Sequence, residues 1–474
     1  MISKLAKSTI IYAIGPQLPK LVSLFLLPIL TEYLTPEDYA VNGIIAAYIL
    51  LFDILKDLGV SIVVNNSFFK FPKRYLFIWK RLFGLLKIWS VFYGIILIPI
   101  IYLVAPKIVG DNIYKIITLI ILPVMFFNVY SYFGRSYFQL NKKPLPFVII
   151  SVTSSIASIV VLFVSVVVFK QGYLSFFYAT FVSSFISFLI YFYFLVIKFK
   201  IVPSFQFSYR WAKKKISISL TTLPHLYAGY VLSISDRIIM EWFDIPLKEI
   251  GMYIFAYSIG MYFSIIGKSL QQASGPYYME FYSKENVENE KNAINMTIVM
   301  HLFILIVGFM IALWVKEIFQ ILSRNESLTN SYFIAIFIIM AYTYYPSYFL
   351  NSMKLWYLEK TKKLMKISVV AAIISIVLNI ILIPLYGIFG AAIATFVSYM
   401  YFGFGGFFYK DIQEEFLVKN KLKYFLILNV VLTIILYNIR DIPIFYKGII
   451  SLSVVLLILI FFKRFKEKIQ FHTK

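Results

Sequence analysis

The sequence predicts an all-α polytopic membrane protein of about 14 transmembrane helices, arranged as two pseudo-symmetric six-helix lobes with two further C-terminal helices. Three observations carry this reading. Its 474 residues are 61% hydrophobic and 14% charged, with a mean hydropathy of +0.83, far more apolar than a soluble domain. Runs of about 20 apolar residues, enough helix to cross roughly 30 Å of hydrocarbon, recur from end to end and leave no hydrophilic block large enough for a soluble domain. With a cytoplasmic N-terminus, the termini and the connections after even-numbered spans hold about 30 of the 45 Lys and Arg, and the connections after odd-numbered spans hold about 8. Continuous rather than alternating hydrophobicity excludes an outer-membrane barrel.

The runs can be justified in chain order. The first, near 8–31, follows Lys4 and Lys7 but is too long for a signal peptide and lacks a small-x-small cleavage pattern, so it reads as a retained helix. It is interrupted by Pro16, Pro19 and Pro28 and carries Lys20 beside Gln17. The second, near 40–62, holds Asp53 and Asp57 flanking Lys56 at its cytoplasmic end, and the third, 82–105, holds Lys87. The fourth, 116–138, sets Asn128, Ser131, Arg135 and Gln139 on one helical face. Runs five and six, 146–169 and 173–197, are apolar and close the first lobe.

Between runs six and seven lies the densest basic cluster, "KFKIVPSFQFSYRWAKKK" from Lys198 to Lys215, which reads as an orientation signal and anionic-lipid contact rather than a nucleic-acid site. Run seven, 216–240, places Thr221, His225, Gly229 and Asp236 on a face followed by Arg237. Run eight, 250–275, places Lys268 on a stripe with Ser264, Gln271, Gln272 and Gly275. Runs nine and ten, 293–315 and 331–353, include His301 without a polar stripe and end before Lys354. Runs eleven and twelve lie at 365–384 and 388–409, and runs thirteen and fourteen at 424–439 and 444–462. The last two have no counterpart in a two-lobed repeat and are expected to hold no charge in the hydrocarbon and to lie outside the central cavity.

The repeat rests on a match of residue n with n+215, which sets "ATFVS" at Ala179–Ser183 on "ATFVS" at Ala394–Ser398 and Gly172 on Gly387. Likewise "EYLTPEDYAVNGIIAAY" corresponds loosely to "EWFDIPLKEIGMYIFAYS". Both halves begin on the same side, as in parallel-repeat transporters whose substrate path runs between the halves. The expected divisions are 1–197 for the first lobe, 198–215 for the basic linker, 216–409 for the second lobe and 410–474 for the remaining helices and tail.

Several strings carry a resemblance: "KSTIIYAIGPQLPKLVSLFLLPILTEYLTPEDYAVNGII", "DLGVS" at Asp57–Ser61, "SDRIIM" at Ser235–Met240, "GMYIFAYSIG" at Gly251–Gly260 and "NIILIPLYGIFGAAIATFVSYM" at Asn379–Met400. In these the chain resembles the oligosaccharide flippases of the multidrug/oligosaccharidyl-lipid/polysaccharide exporter superfamily. The resemblance implies a V-shaped molecule that moves undecaprenyl-pyrophosphate-linked sugar repeat units from the cytoplasmic to the outer leaflet of a bacterial cytoplasmic membrane.

Charges inside spans are costly and usually face a wet cavity or a partner. Lys20 and Lys268, with Arg135 and Arg237 and the amides Gln17, Gln271, Gln272, Asn128 and Gln139, are therefore the candidates for holding a pyrophosphate headgroup. His225 and Asp236 are candidates for coupling to a proton or sodium ion. The absence of cysteine from the chain excludes disulfides and thiol chemistry. Without a phosphate loop, metal cluster or nucleophile–base spacing, no enzyme activity and no cofactor are expected. The expected partners are a lipid-linked glycan and membrane lipids, with the protein acting as a monomer. Two alternatives share the superfamily: a peptidoglycan-precursor flippase, and a cation-coupled drug exporter, which would usually want a carboxylate in the first span where this chain has Lys20.

Overall fold

The computed structural model describes residues 18–220, 223–418 and 422–456, and these are helical almost throughout. The first helix, α1 (Leu18–Tyr33), turns into α2 (Pro36–Lys56) through a capping box. There the Asp38 carboxylate accepts from Thr35 N–H at 2.8 Å and the Thr35 hydroxyl accepts from Asp38 N–H at 3.3 Å, which satisfies two first-turn donors before Pro36 begins the helix. The run read as one span over 40–62 instead breaks at Leu58 and Gly59, both at positive φ, and α3 (Ser61–Lys70) starts anew. The break re-aims the residues that follow it, which is how the cavity described below is made.

Next come α4 (Tyr75–Val104), α5 (Ile113–Leu122) and α6 (Asn128–Leu140), the last two joined by a π-helical turn at Pro123–Phe127. Helices α7 (Pro144–Phe163) and α8 (Leu174–Phe192) follow, each ending in a π-helical turn. An extended strap then leads to the short basic α9 (Tyr209–Leu220).

The second half contains α10 (Leu223–Trp242), α11 (Leu247–Ser283), α12 (Val287–Leu313), α13 (Val315–Leu322), α14 (Tyr332–Tyr342), α15 (Tyr345–Tyr357) and α16 (Thr361–Phe404). Helix α16 is interrupted at Gly387, with φ 54 and ψ −135. A Cβ on Gly390 would stand 2.2 Å from the carbonyl oxygen of Leu382, eight residues back, whereas a straight helix would separate them by about 12 Å. The chain therefore folds back and α16 supplies two arms.

Among the described residues eight segments are long and apolar enough to cross a membrane, and Val22–Tyr33, Lys423–Ile439 and Ile444–Leu456 are shorter apolar helices. One of these segments, Thr361–Phe407, combines two of the runs read from the sequence, and α2 and α10 carry acids and cations within their length.

Gly172 and Gly387, paired by the repeat, share φ 54, a left-handed conformation that costs other residues about 1–2 kcal/mol. Each meets an acid in the first turn of a helix of its own half. Asp38 accepts from Tyr173 N–H at 2.7 Å, and Glu249 lies beside Gly387. The two "ATFVS" copies differ: Ala394, Thr395 and Ser398 are buried, whereas in the first copy only Ala179 is, and Thr180 is exposed.

The halves meet along α2, from its Pro36 end at least as far as Tyr48. Gly251 of α11 lies so close that a Cβ would stand 1.7 Å from the Pro36 carbonyl oxygen. The Tyr48 hydroxyl donates to Glu241 at 2.8 Å and accepts from the Trp242 indole at 2.9 Å. Ser23 meets Tyr262 at 3.0 Å, and Arg324 meets Glu32 at 2.7 Å.

The last described helices, α17 (Lys423–Ile439) and α18 (Ile444–Leu456), dock on the second half. Phe425 stacks on His301 at 4.7 Å between ring centroids. Lys316 pairs with Asp441 at 2.6 Å, and Lys447 pairs with Glu317 at 2.8 Å. Lys447 is thus a fully buried charge in a helix expected to be charge-free, sustained because its partner is built into α13.

Candidate functional site

Helix α2 packs against the second half from Pro36 to at least Tyr48 and ends at a cavity. With 21 residues it spans about 30 Å. The cavity, of about 380 Å³, is lined by Lys56, Asp57, Ser61, Asn65, Asn128, Ser131, Tyr132, Arg135, Ser136 and Gln139. Lys56 and Asp57 end α2, and Ser61 and Asn65 come from α3 after the break at Leu58–Gly59. The remainder come from α6, where i, i+3 and i+4 spacing puts Asn128, Ser131, Arg135 and Gln139 on one face.

The cavity's charge is mixed. Lys56 pairs with Asp53 at 2.7 Å, which offsets much of its charge. Asp57 and Arg135 lie within electrostatic reach of one another, and Arg135 also neighbours Tyr191. The other seven lining residues are neutral donors and acceptors. Such a wall suits a ligand that combines anionic oxygens with many hydroxyls: the guanidinium forks toward the former, and amides, serines and one carboxylate meet the latter.

The residues singled out from sequence are distributed over three places. Asn128, Arg135 and Gln139 line the cavity. Lys268, Gln271 and Gln272 lie on α11 in the other half, with Lys268 and Gln272 exposed and Gln271 half-buried, and they are not part of the cavity wall. Asp236 and Arg237 are packed in the second half. The Asp236 carboxylate accepts from the Arg237 backbone N–H at 2.8 Å and from the Tyr253 hydroxyl. The Arg237 guanidinium sits over the Tyr257 ring at 4.6 Å, with its Nε buried and without a hydrogen-bond partner. The two side chains therefore do not form the direct ion pair their adjacency suggests. Gln17 lies outside the described residues, as do the side chains of Lys20 and His225.

In the sequence Lys56 and Asp57 read only as neighbouring charges at the cytoplasmic end of a span, and Asn65 and Ser136 do not stand out. The glycine of "DLGVS" is the signal that could have found them, since a helix break there brings Ser61 and Asn65 to face α6. Among the described residues no group of three or more His, Cys, Asp or Glu is placed to hold a metal ion.

Residues 5–282 match the family model described as polysaccharide biosynthesis protein. No curated protein sequence matches the chain. Among solved structures it is similar to a lipid II flippase, MurJ, in an inward closed conformation, at 13% identity and TM-score 0.64, covering 94% of this chain and 98% of that one. It is also similar to a multidrug resistance MATE family transporter of the MOP superfamily in its inward-facing conformation, at 16% identity and TM-score 0.62, covering 85% and 98%. A third is a MOP superfamily transporter from Pyrococcus furiosus Vc1 whose binding pocket is described as reversed in polarity, at 16% identity and TM-score 0.57, covering 86% and 96%. At these identities the likenesses concern the fold.

Proposed function

The chain belongs to the polysaccharide biosynthesis protein family, and from that premise we propose that it flips undecaprenyl-pyrophosphate-linked oligosaccharide repeat units to the outer leaflet of a bacterial cytoplasmic membrane. The observation that carries the reading is the cavity of about 380 Å³ at the foot of α2, whose wall combines Arg135 and Lys56 with seven neutral hydrogen-bonding side chains. In a chain this apolar, such a wall is costly unless it meets water and a polar ligand. Arg135 holds the pyrophosphate, and the amides and hydroxyls receive the first sugars. Lys268, Lys20 and Arg237 are further cations of the path, and Asp236 or His225 couples the movement to an ion.

The contact between the halves around Pro36 and Gly251 is the outer closure, and both termini face the cytoplasm. The cavity therefore receives headgroups from the inner leaflet, and the closure at the far end of α2 must open to release them. The halves act as six-helix lobes, 1–197 and 216–409, with 198–215 between them and 410–474 appended.

Surface glycan in a deletion strain complemented with each variant, normalised to membrane-inserted protein, tests the reading. Arg135→Gln should lower export by roughly tenfold or more, the loss of one charge-assisted contact, while Arg135→Lys should retain more. Lys268→Gln and Lys20→Gln should lower it less. Normal export by Arg135→Gln at normal protein level would remove the cavity from the transport path.

A further inference from the structure

The segment joining the two halves does not hang free. After α8 the chain turns at Lys200, with φ 53, buries Ile201 and crosses α4 in extended form. Ser204 N–H donates to the Lys80 carbonyl at 2.7 Å. The crossing requires Gly84, where a Cβ would stand 2.1 Å from the Ser204 carbonyl oxygen. Beyond it, Trp211 and Ile216 of α9 pack against the cluster built around Val60, Trp79 and Phe83.

This strap brings together segments far apart in sequence. Residues 66–81 contribute five cations, 140–145 two and 195–217 six, and none of the three segments contains a carboxylate. Phe69, Phe71 and Phe77, between α3 and the start of α4, and Phe205 and Tyr209 on the strap are all exposed. Lys143 lies over the Phe199 ring at 6.0 Å, which ties the turn after α6 to the strap. Exposed rings of this number would be unfavourable against bulk water, yet α4, an apolar 30-residue helix, starts within this surface, and that places it where a bilayer's headgroups begin. Aromatic rings and cations alternating at such a depth are the chemistry of a lipid interface.

We propose that the strap, α9 and the turn between α3 and α4 form a docking surface for anionic phospholipid headgroups, fixing this half of the molecule to the leaflet. The cations bind lipid phosphates, and the rings seat among the upper acyl chains. None of the cavity's lining residues belongs to this surface, so its lipid binding is expected not to depend on the transported substrate.

The test uses the purified full chain in nanodiscs of phosphatidylcholine, with phosphatidylglycerol added in steps, and counts retained lipids by native mass spectrometry. The wild type should retain phosphatidylglycerol over phosphatidylcholine by at least about tenfold, an advantage that high salt weakens. A variant carrying K198Q, K200Q, R210Q, K213Q and K214Q should lose most of that preference while unfolding at the same temperature in pure phosphatidylcholine. A control carrying K284Q and K410Q, on the other half, should keep it. Equal phosphatidylglycerol retention by the five-residue variant overturns the proposal. So does a variant that keeps phosphatidylglycerol but loses binding of an added isoprenyl pyrophosphate, which would assign the surface to the substrate. As an independent check, Gly84→Leu should dislodge the strap and give the same lipid phenotype; unchanged retention would mean that the strap is not what assembles the surface.

Discussion

The two halves handle charge in opposite ways. Around the turn between α3 and α4 and along the strap, cations stand in segments that contain no acid, whereas in the second half several lysines between the end of α11 and the start of α16 are matched. Lys354 meets Glu290 at 2.9 Å, Lys360 and Lys363 meet Glu415 at 2.5 Å, and Lys284 meets Glu280 at 3.5 Å. Glu290 also accepts from Val418 N–H at 2.8 Å, so one carboxylate ties α15 to the chain that leads into α17. The matched pairs of the second half are structural and help to hold α17 and α18 in place, while the acid-free segments of the first half are, on the reading proposed above, where lipid and ligand are met.

The sharpest way to break this comparison is to remove one member of a matched pair. Lys354→Met strands the buried Glu290 carboxylate and should cost about 3–5 kcal/mol, read as a large fall in unfolding temperature in detergent. Arg135→Gln in the first half should change stability by no more than about 0.5 kcal/mol. Equal losses from the two would mean that the first half's cations are structural as well.

A smaller effect sharpens the internal repeat. Gly172→Ala and Gly387→Ala should each cost about 1–2 kcal/mol, because both sit in the left-handed region. Gly172→Ala should be the worse of the two, since its Cβ would stand 2.7 Å from the Asp38 carboxylate, against 3.6 Å from Glu249 at Gly387. Unfolding temperatures of the two variants give the order directly, and a reversed order would break the correspondence between Asp38 and Glu249.

The smallest effect concerns pH and the appended helices. Asp441, in the turn between α17 and α18, is held below its ordinary value of 3.8 by hydrogen bonds from Lys316 and then Tyr332. A depressed carboxyl stabilises the fold above its unfolded value and loses that contribution as pH falls through the lowered one. The difference in unfolding temperature between wild type and Asp441→Asn should therefore be full near pH 6 and shrink below about pH 4. A difference independent of pH would show that the Lys316 contact contributes little.

Much of the fold could be read from the sequence because the bilayer is an undemanding solvent to decode. A span must be long, apolar and internally hydrogen-bonded, and a run of residues reports all three without knowledge of its neighbours. The pairing of Gly172 with Gly387 can be read in the same way, because a glycine that must adopt positive φ cannot be replaced without strain, and both hold φ 54. The face of α6 carrying Asn128, Arg135 and Gln139 follows from helical periodicity alone.

Which of those polar faces meet each other was decided only by tertiary structure. The sequence could not tell that the break at Leu58–Gly59 would turn Ser61 and Asn65 toward Arg135, or that Lys268 would stay out of the cavity wall. Nor could it tell that Arg237 would rest on Tyr257 rather than on Asp236. Periodicity fixes the direction of a side chain relative to its own helix axis, whereas a cavity depends on the rotation and spacing of several helices at once. Those are set by contacts such as Gly251 against Pro36 and Gly84 beneath Ser204, where the absence of a single Cβ determines how closely two backbones can pass.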